Sequence, residues 1–402
     1  MTDLNGKAFS TRAVHAGERV KQADYTPVTT PIMPSVGYTY ESMDDLDAVF
    51  ATTRPGYVYS RYTSPTVAAF ENAVANLEEG EAALAFASGM AAIQGALLSA
   101  GVRSGAHVVS AFDVYGATYS LLKRLFAELG VRTSLVDVND LHAVEAALKK
   151  PGTTALFVET ISNPLLKVAD IPALADMAHR HAADLLVDST FATPCLFRPL
   201  RHGADYVIHS ATKYLSGHGD VLAGVVVTSA AQRARMFEMN KLLGSNLGPF
   251  EAWLALRGLK TLPLRVRQQC RTALQLAEWL AQRPEVAQVN YPGLKTHPQH
   301  ALAETLFDGQ GYGGVLSFEI RAAGRAEVFR FMEVLTLIQP ATTLGDIYSL
   351  VLHPASSSHR ALTEAERGQV GIREGLLRLS AGIEDPADIQ ADLEQAFRTL
   401  KR

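Results

Sequence analysis

The chain has 402 residues, with 37 Lys and Arg against 41 Asp and Glu for a formal net charge of −4; hydrophobic residues make up 48% and charged residues 19%. That balance excludes a mainly disordered chain and supports a core large enough for two or three domains. A sequence pI near 6.3 lacks the basic excess with which a nucleic-acid binder neutralises phosphate.

Two cysteines, Cys195 and Cys270, are too few for a disulfide framework or a structural zinc site. The first twenty residues place charges where a secretory signal needs an apolar run. Residues 82–102 carry no charge and are long enough to span a bilayer, but they are rich in Ala, Gly and Ser with Gln94 in their middle. Small, weakly apolar residues suit a segment packed closely inside a protein better than one facing lipid. The expectation is a cytoplasmic enzyme with no membrane or nucleic-acid partner.

In chain order, residues 1–60 are rich in Thr, Pro and Tyr with little periodicity, and read as an extended arm. The aromatics Tyr57, Tyr59 and Tyr62 imply that the end of this arm packs against something. From Pro65 the pattern changes. Residues 65–80 have apolar positions at helical spacing, with Gly80 as the expected stop. Short apolar runs follow: AALAFAS, HVVSAF, RTSLVDV, TALFVET, DLLVDST, DYVIHSA and VLAGVVVTS, separated mostly by helix-length segments. This alternation predicts an α/β domain over 61–255 with a mostly parallel, doubly covered sheet. Residues 251–284 read as one long helical passage broken near Pro263. Beyond it, VLSFEI, a helix over 325–335, LLRLSAG and a final helix from Asp385 make a smaller C-terminal α+β unit, 256–402.

In a parallel α/β sheet, ligands bind beyond the carboxyl ends of the strands. The residues there are Ser88, Gly89 and Met90; Asp113 and Tyr115; Glu159 and Asn163; Asp188; and Ser210 to Lys213. A lysine following hydroxyls at Ser210 and Thr212 suits Schiff-base chemistry on a phosphorylated carbonyl cofactor; a surface lysine in a turn is the plainer alternative. Asp188 closes a buried strand and must be paired, either by a protonated ring nitrogen or by capping the turn through Ser189 and Thr190. Ser88-Gly89-Met90 could face a phosphate at a helix start, and Tyr115 could lie on an aromatic cofactor or pack in the core. GYGGV at 311–315 is no dinucleotide fingerprint, because it precedes a late strand. His179, His181, His297 and His300 lack supporting ligands and are expected to be solvated, not metal-binding.

The succession YSR, SGM, YG, SNP, VDST, HSATKYLSGH and RLSAGIE, running from STRAVHAGE at 10–18 to LRLSAGIED at 377–385, resembles the pyridoxal-phosphate enzymes of cysteine and methionine metabolism. These are the transsulfuration enzymes: cystathionine γ-synthase, cystathionine β- and γ-lyases, methionine γ-lyase and homoserine-ester sulfhydrylases. The resemblance implies fold type I, as in aspartate aminotransferase, with pyridoxal 5'-phosphate held by the 61–255 domain and no metal. By the same resemblance, Lys213 joins the cofactor aldehyde and shuttles protons. Asp188 keeps the pyridine nitrogen protonated, and Tyr115 stacks on the ring and exchanges a proton with the leaving group. Gly89, Met90, Ser210 and Thr212 bind the phosphate. Tyr59 and Arg61 reach that phosphate from a neighbouring subunit, with Tyr59 also bordering the substrate; the arm would thus serve a shared site in a homotetramer built as a dimer of dimers. Arg378 clamps the substrate carboxylate with help from Asn163. Thr343 stands where the family usually has serine.

The resemblance leaves several reactions open. Methionine γ-lyases often carry cysteine where this chain has Ala117. The stretch Gly345-Asp346 is the form found in methionine γ-lyases and sulfhydrylases. Residues 249–253 lean toward sulfhydrylases, while 257–262 lean toward lyases. The expected reaction is α,γ-elimination from methionine or cystathionine, giving a thiol, ammonia and 2-oxobutanoate. The alternative is γ-replacement on an acylated homoserine by a sulfhydrylase or cystathionine γ-synthase. A cofactor-binding scaffold without turnover is disfavoured by retention of Lys213, Asp188, Tyr115 and Arg378 together.

Overall fold

The computed structural model describes residue 4 and residues 6–18, 25–360 and 362–401. Seven strands, β1 (Ala82–Phe86), β2 (His107–Ala111), β3 (Arg132–Val136), β4 (Thr153–Glu159), β5 (Asp184–Asp188), β6 (Tyr206–His209) and β7 (Gly224–Thr228), form one sheet in the order β1-β7-β6-β5-β4-β2-β3. Only β7 runs against its neighbours β1 and β6; the other pairs are parallel. Most strand residues are buried, as expected of a sheet covered on both faces. The uncharged stretch from Ala82 divides into β1 and the helix Gly89–Ser99. No helix among the described residues is long and apolar enough to cross a membrane.

Helix boundaries follow local chemistry. Ser64 accepts a hydrogen bond from the Val67 N–H, and Pro65 takes the first position of the helix Pro65–Glu78, where its missing N–H costs nothing. That helix ends one residue before the expected stop: Glu79 itself adopts the left-handed conformation, φ 59°. Its carboxylate is the common partner of Arg12, Arg198 and Arg201, so contacts with distant residues favour glutamate here over the usual glycine. The long passage breaks at residues 260–261 into Pro249–Leu259 and Leu262–Ala281.

A second sheet contains β8 (Val286–Asn290), β9 (Val315–Ile320), β10 (Gln339–Pro340), β11 (Leu350–Leu352) and β12 (Leu376–Ser380), in the order β10-β11-β12-β9-β8. Its core includes Phe318, Phe331 and Phe397, with the last two ring centroids 4.8 Å apart. Helix Leu262–Ala281 links the two cores: Leu262, Val266 and Cys270 enter the first, and Ala273, Leu276 and Leu280 the second. This shared rod fixes the second sheet against the first, which brings β12 to the carboxyl ends of β4 to β6.

The arm contains two short helices, Phe9–His15 and Met43–Phe50. The first packs on its own chain, where Arg12 donates to the Asn76 carbonyl at 2.7 Å. Residues 19–24, within the expected arm, lie outside the described residues. The expectation of four solvated histidines fails at His297, which is 8% exposed. Burial and neighbouring His300 lower its pKa to about 4, and its Nδ1 accepts the Gln299 N–H. Its neighbours in sequence, Lys295, Thr296, Gln299 and His300, are polar and gave no sign of this tertiary burial. His179 instead pairs with Asp205 at 2.9 Å. Among the described residues no group of three or more His, Cys, Asp or Glu side chains is placed to hold a metal ion.

Candidate active site

A cavity of about 400 Å³ opens where β1, β4, β5 and β6 end and β12 approaches. Its lining includes Gly89, Met90, Tyr115, Asn163, Asp188, Ser210, Thr212, Lys213 and Arg378. Nine of the residues expected to form a site therefore converge although they span nearly 300 positions of sequence. A roomier hollow beside helix Phe9–His15 holds Arg198 and Arg267. Those arginines already donate to Leu77, Ser10 and Pro263, and no lysine is among the described residues that line the hollow.

Lys213 follows β6 on a turn locked from below. The buried Arg265 guanidinium donates to the carbonyls of Tyr214 at 2.8 Å and Gly258 at 2.9 Å. The lysine Nζ donates to the Thr343 hydroxyl at 2.9 Å. Burial, then the nearby Arg378 charge, lowers its pKa to about 8, while Asp346 partly opposes them. A larger fraction of neutral amine is therefore present near neutrality than at an exposed lysine, whose pKa is about 10.4. Only the neutral amine attacks a carbonyl. In cofactor-free protein, modification of Lys213 by a small aldehyde should rise with pH and level off above about 8, whereas exposed lysines continue to gain until about 10.4. Peptide mapping after reductive trapping checks this, and a Lys213 profile matching the surface lysines would contradict it.

Arg378, in the middle of β12, is 3% exposed. One terminal nitrogen donates to Asn163 Oδ1 at 3.1 Å and the other to the Thr343 carbonyl at 3.0 Å. Its Nε has no hydrogen-bond partner among the described residues, so the cavity holds a buried cation with a donor unused. Burial lowers its pKa to about 10, which leaves it charged at neutral pH. Thr343 joins the two cations: its hydroxyl accepts from Lys213 and its carbonyl from Arg378.

Asp188 accepts the Thr190 N–H at 3.0 Å. Burial raises its pKa, and this bond and the nearby His209 only partly offset the rise. A carboxylate in that position gains from a cationic hydrogen-bond donor placed in the cavity. Gly89 starts the helix beyond β1 in very close approach to the Lys213 turn: a Cβ there would lie 2.8 Å from the Ser210 Cβ. Ser88 caps the same helix by accepting from Ala91 at 3.1 Å, which leaves the first N–H groups facing the cavity as anion donors. The Thr212 hydroxyl accepts the Ala223 N–H at 2.9 Å and donates to the Ala223 carbonyl at 3.2 Å. It would have to swing its O–H from that carbonyl to reach an anion. Tyr115 remains 41% exposed at the cavity wall.

Tyr59 and Arg61 do not line this cavity. Arg61 instead lies over the rings of Tyr59 and Tyr62, 5.5 and 5.3 Å from their centroids, and donates to the Lys241 carbonyl. Sequence reasoning assigned no role to several residues that do line it, among them Ile93, Phe191, Leu222, Thr342, Ser357 and Ser358. The two serines come from the segment after β11, whose approach is visible only in the fold: a Cβ on Gly116 would lie 2.2 Å from the Ser358 carbonyl oxygen. The signal available beforehand was the Gly116 that follows Tyr115.

The donor set fits a phosphorylated pyridine aldehyde: an amine of lowered pKa, a carboxylate whose pKa is raised by burial, and a glycine-starting helix that a Cβ would crowd. The family model described as Cys/Met metabolism PLP-dependent enzyme matches residues 10–398. The chain is 41% identical over 400 residues to an O-succinylhomoserine sulfhydrylase from Pseudomonas aeruginosa, covering 99% of this chain and 97% of the relative. It is 42% identical over 395 residues to an L-methionine gamma-lyase from Pseudomonas putida, with 97% of each covered. A crystal structure of a putative O-acetylhomoserine (thiol)-lyase from Campylobacter jejuni, containing N'-pyridoxyl-lysine-5'-monophosphate, superposes with a TM-score of 0.92 at 31% identity, over 97% of this chain and 99% of that one.

Proposed function

This chain belongs to the Cys/Met metabolism PLP-dependent enzymes, and on that premise we propose that it catalyses α,γ-elimination of methionine or cystathionine to a thiol, ammonia and 2-oxobutanoate. The observation that carries this reading is the Lys213 amine, lowered to about 8 and 2.9 Å from the Thr343 hydroxyl, beside the buried Arg378 guanidinium. Pyridoxal 5'-phosphate, when bound, supplies an electron sink for charge left on the substrate carbons once protons are removed.

The chain's own residues do the rest. Arg378, braced by Asn163 and Thr343, holds the substrate carboxylate with a planar fork of donors. Lys213 takes the proton from the substrate Cα and then serves at Cβ, so that the γ-substituent leaves. Thr343 keeps its amine aimed between those positions. Asp188 would hold a proton on the cofactor's ring nitrogen. Tyr115 would lie against the ring and give a proton to the departing sulfur. Gly89, Met90, Ser210 and Thr212 would hold the phosphate and so register the substrate against Lys213.

Elimination requires no second substrate other than water, whose oxygen becomes the keto oxygen of 2-oxobutanoate as ammonia is released. With methionine or cystathionine alone, 2-oxobutanoate and a thiol should accumulate, and mass spectrometry checks both. A second reading, γ-replacement, is favoured by the 41% identity to an O-succinylhomoserine sulfhydrylase. If products appear only from O-acylhomoserine with added sulfide, as homocysteine, the replacement reading takes over.

The site is shared between subunits of a dimer of dimers in this reading, with Tyr59 and Arg61 completing the phosphate pocket of the adjacent chain. Their exposure on a single chain, outside its own cavity, supports it. Arg61→Ala should weaken cofactor affinity by about 1.5–3 kcal/mol, the worth of a charged hydrogen bond. Mixing Arg61→Ala with Lys213→Ala chains should restore activity, since a hybrid dimer contains one intact site. Persistent inactivity in verified hybrids would contradict a shared site. A cytoplasmic location belongs to the same reading, supported by two cysteines that remain unpaired.

A further inference from the structure

We propose that Glu159 is a positioning residue, whose two carboxyl oxygens hold the backbone of Tyr115 and of Asn163 and so tie the ring-covering tyrosine to the substrate-carboxylate clamp. This inference rests on the function proposed for the site.

Glu159 closes β4 and is 7% exposed. Its Oε1 accepts the Tyr115 N–H at 2.6 Å, and its Oε2 accepts the Asn163 N–H at 3.1 Å. Tyr115 is the residue that precedes the helix Gly116–Ser120, and Glu159 satisfies its backbone N–H. Asn163 in turn uses its Oδ1 to hold Arg378. One side chain thus reaches two functional residues directly and a third through Asn163.

The position is electrostatically costly. Glu159 pairs in register with Asp188 on the adjacent strand, and burial, then that neighbouring carboxylate, pushes its pKa well up. Asp113 adds to the rise. Two buried acids side by side repel unless hydrogen bonds and cations offset them. A hydrophobic or amide side chain would remove the repulsion. Only a carboxyl group, however, offers an acceptor oxygen to both N–H groups at once, because one end of an amide is a donor.

The test compares wild type, Glu159→Gln and Glu159→Ala as holoenzymes. The first readout, without substrate, is the circular dichroism of the bound cofactor, which reports how rigidly its ring is held. The second is the apparent dissociation constant of L-methionine, read from the cofactor absorption change. In Glu159→Ala the dichroic band should weaken and the dissociation constant should rise by about tenfold or more, as for loss of a hydrogen bond to a charged group. Glu159→Gln keeps one acceptor and should show a smaller change in the same direction. It also carries the test if the alanine variant does not fold. A wild-type dichroic band and dissociation constant in the folded variants would overturn the proposal. Absence of a cofactor band in wild type would instead overturn the function on which it rests.

Discussion

Replacing Lys213 by alanine should lower turnover by about 10²–10⁴-fold, the range supplied by a positioned general acid–base, and should abolish covalent attachment of the cofactor. Alanine keeps the turn, since Arg265 holds that turn through backbone carbonyls and not through the lysine side chain. The loss is therefore chemical and not structural. Thr343 would lose the partner of its hydroxyl but keep its carbonyl bond to Arg378, so the carboxylate clamp survives. The expected phenotype is a folded protein that still binds an amino-acid substrate yet does not exchange its α-proton. Added small primary amines should return part of that exchange. Wild-type turnover in the variant would show that another group removes the proton.

Asp188→Ala has the second largest expected effect. In the native chain this acid stands at the end of β5, raised in pKa by burial and held by Thr190. A cationic ring nitrogen is the partner that relieves its burial. Without the carboxylate, the nitrogen loses the charge-assisted bond that keeps its proton, worth about 1.5–3 kcal/mol, and α-proton exchange should fall by about tenfold to a hundredfold. The cofactor itself should remain, because Lys213 and the phosphate contacts are untouched. Measuring loss of deuterium from Cα-labelled methionine checks this. Exchange at the native rate, with cofactor bound, would remove Asp188 from its assigned role.

Much of this arrangement was legible in the sequence because strand ends in an α/β sheet are positions where polarity is costly. A buried run such as LLVD ending in Asp188, or YVIH leading to Lys213, announces both the strand and the rim. The second sheet was harder to read. VAQVN forms β8 with two of its five residues exposed, and LVL is a three-residue strand whose stability comes from its neighbours. Glu79 in a left-handed conformation and buried His297 share a cause: their environments are made by residues far away in sequence. The double hydrogen bond of Glu159 is of that kind too. Spacing placed it at the rim, but only the fold shows that it meets Tyr115 and Asn163. For Tyr59 and Arg61 the motif was plain, but on this chain they lie outside the cavity, with Arg61 over the rings of Tyr59 and Tyr62.

The measurement closest to the central claim is reduction of the purified holoenzyme with borohydride, followed by digestion and mass mapping of the pyridoxyl group. The account predicts the mass increment on the peptide containing Lys213 and on no other lysine. The increment on a different lysine, or on none, would contradict it.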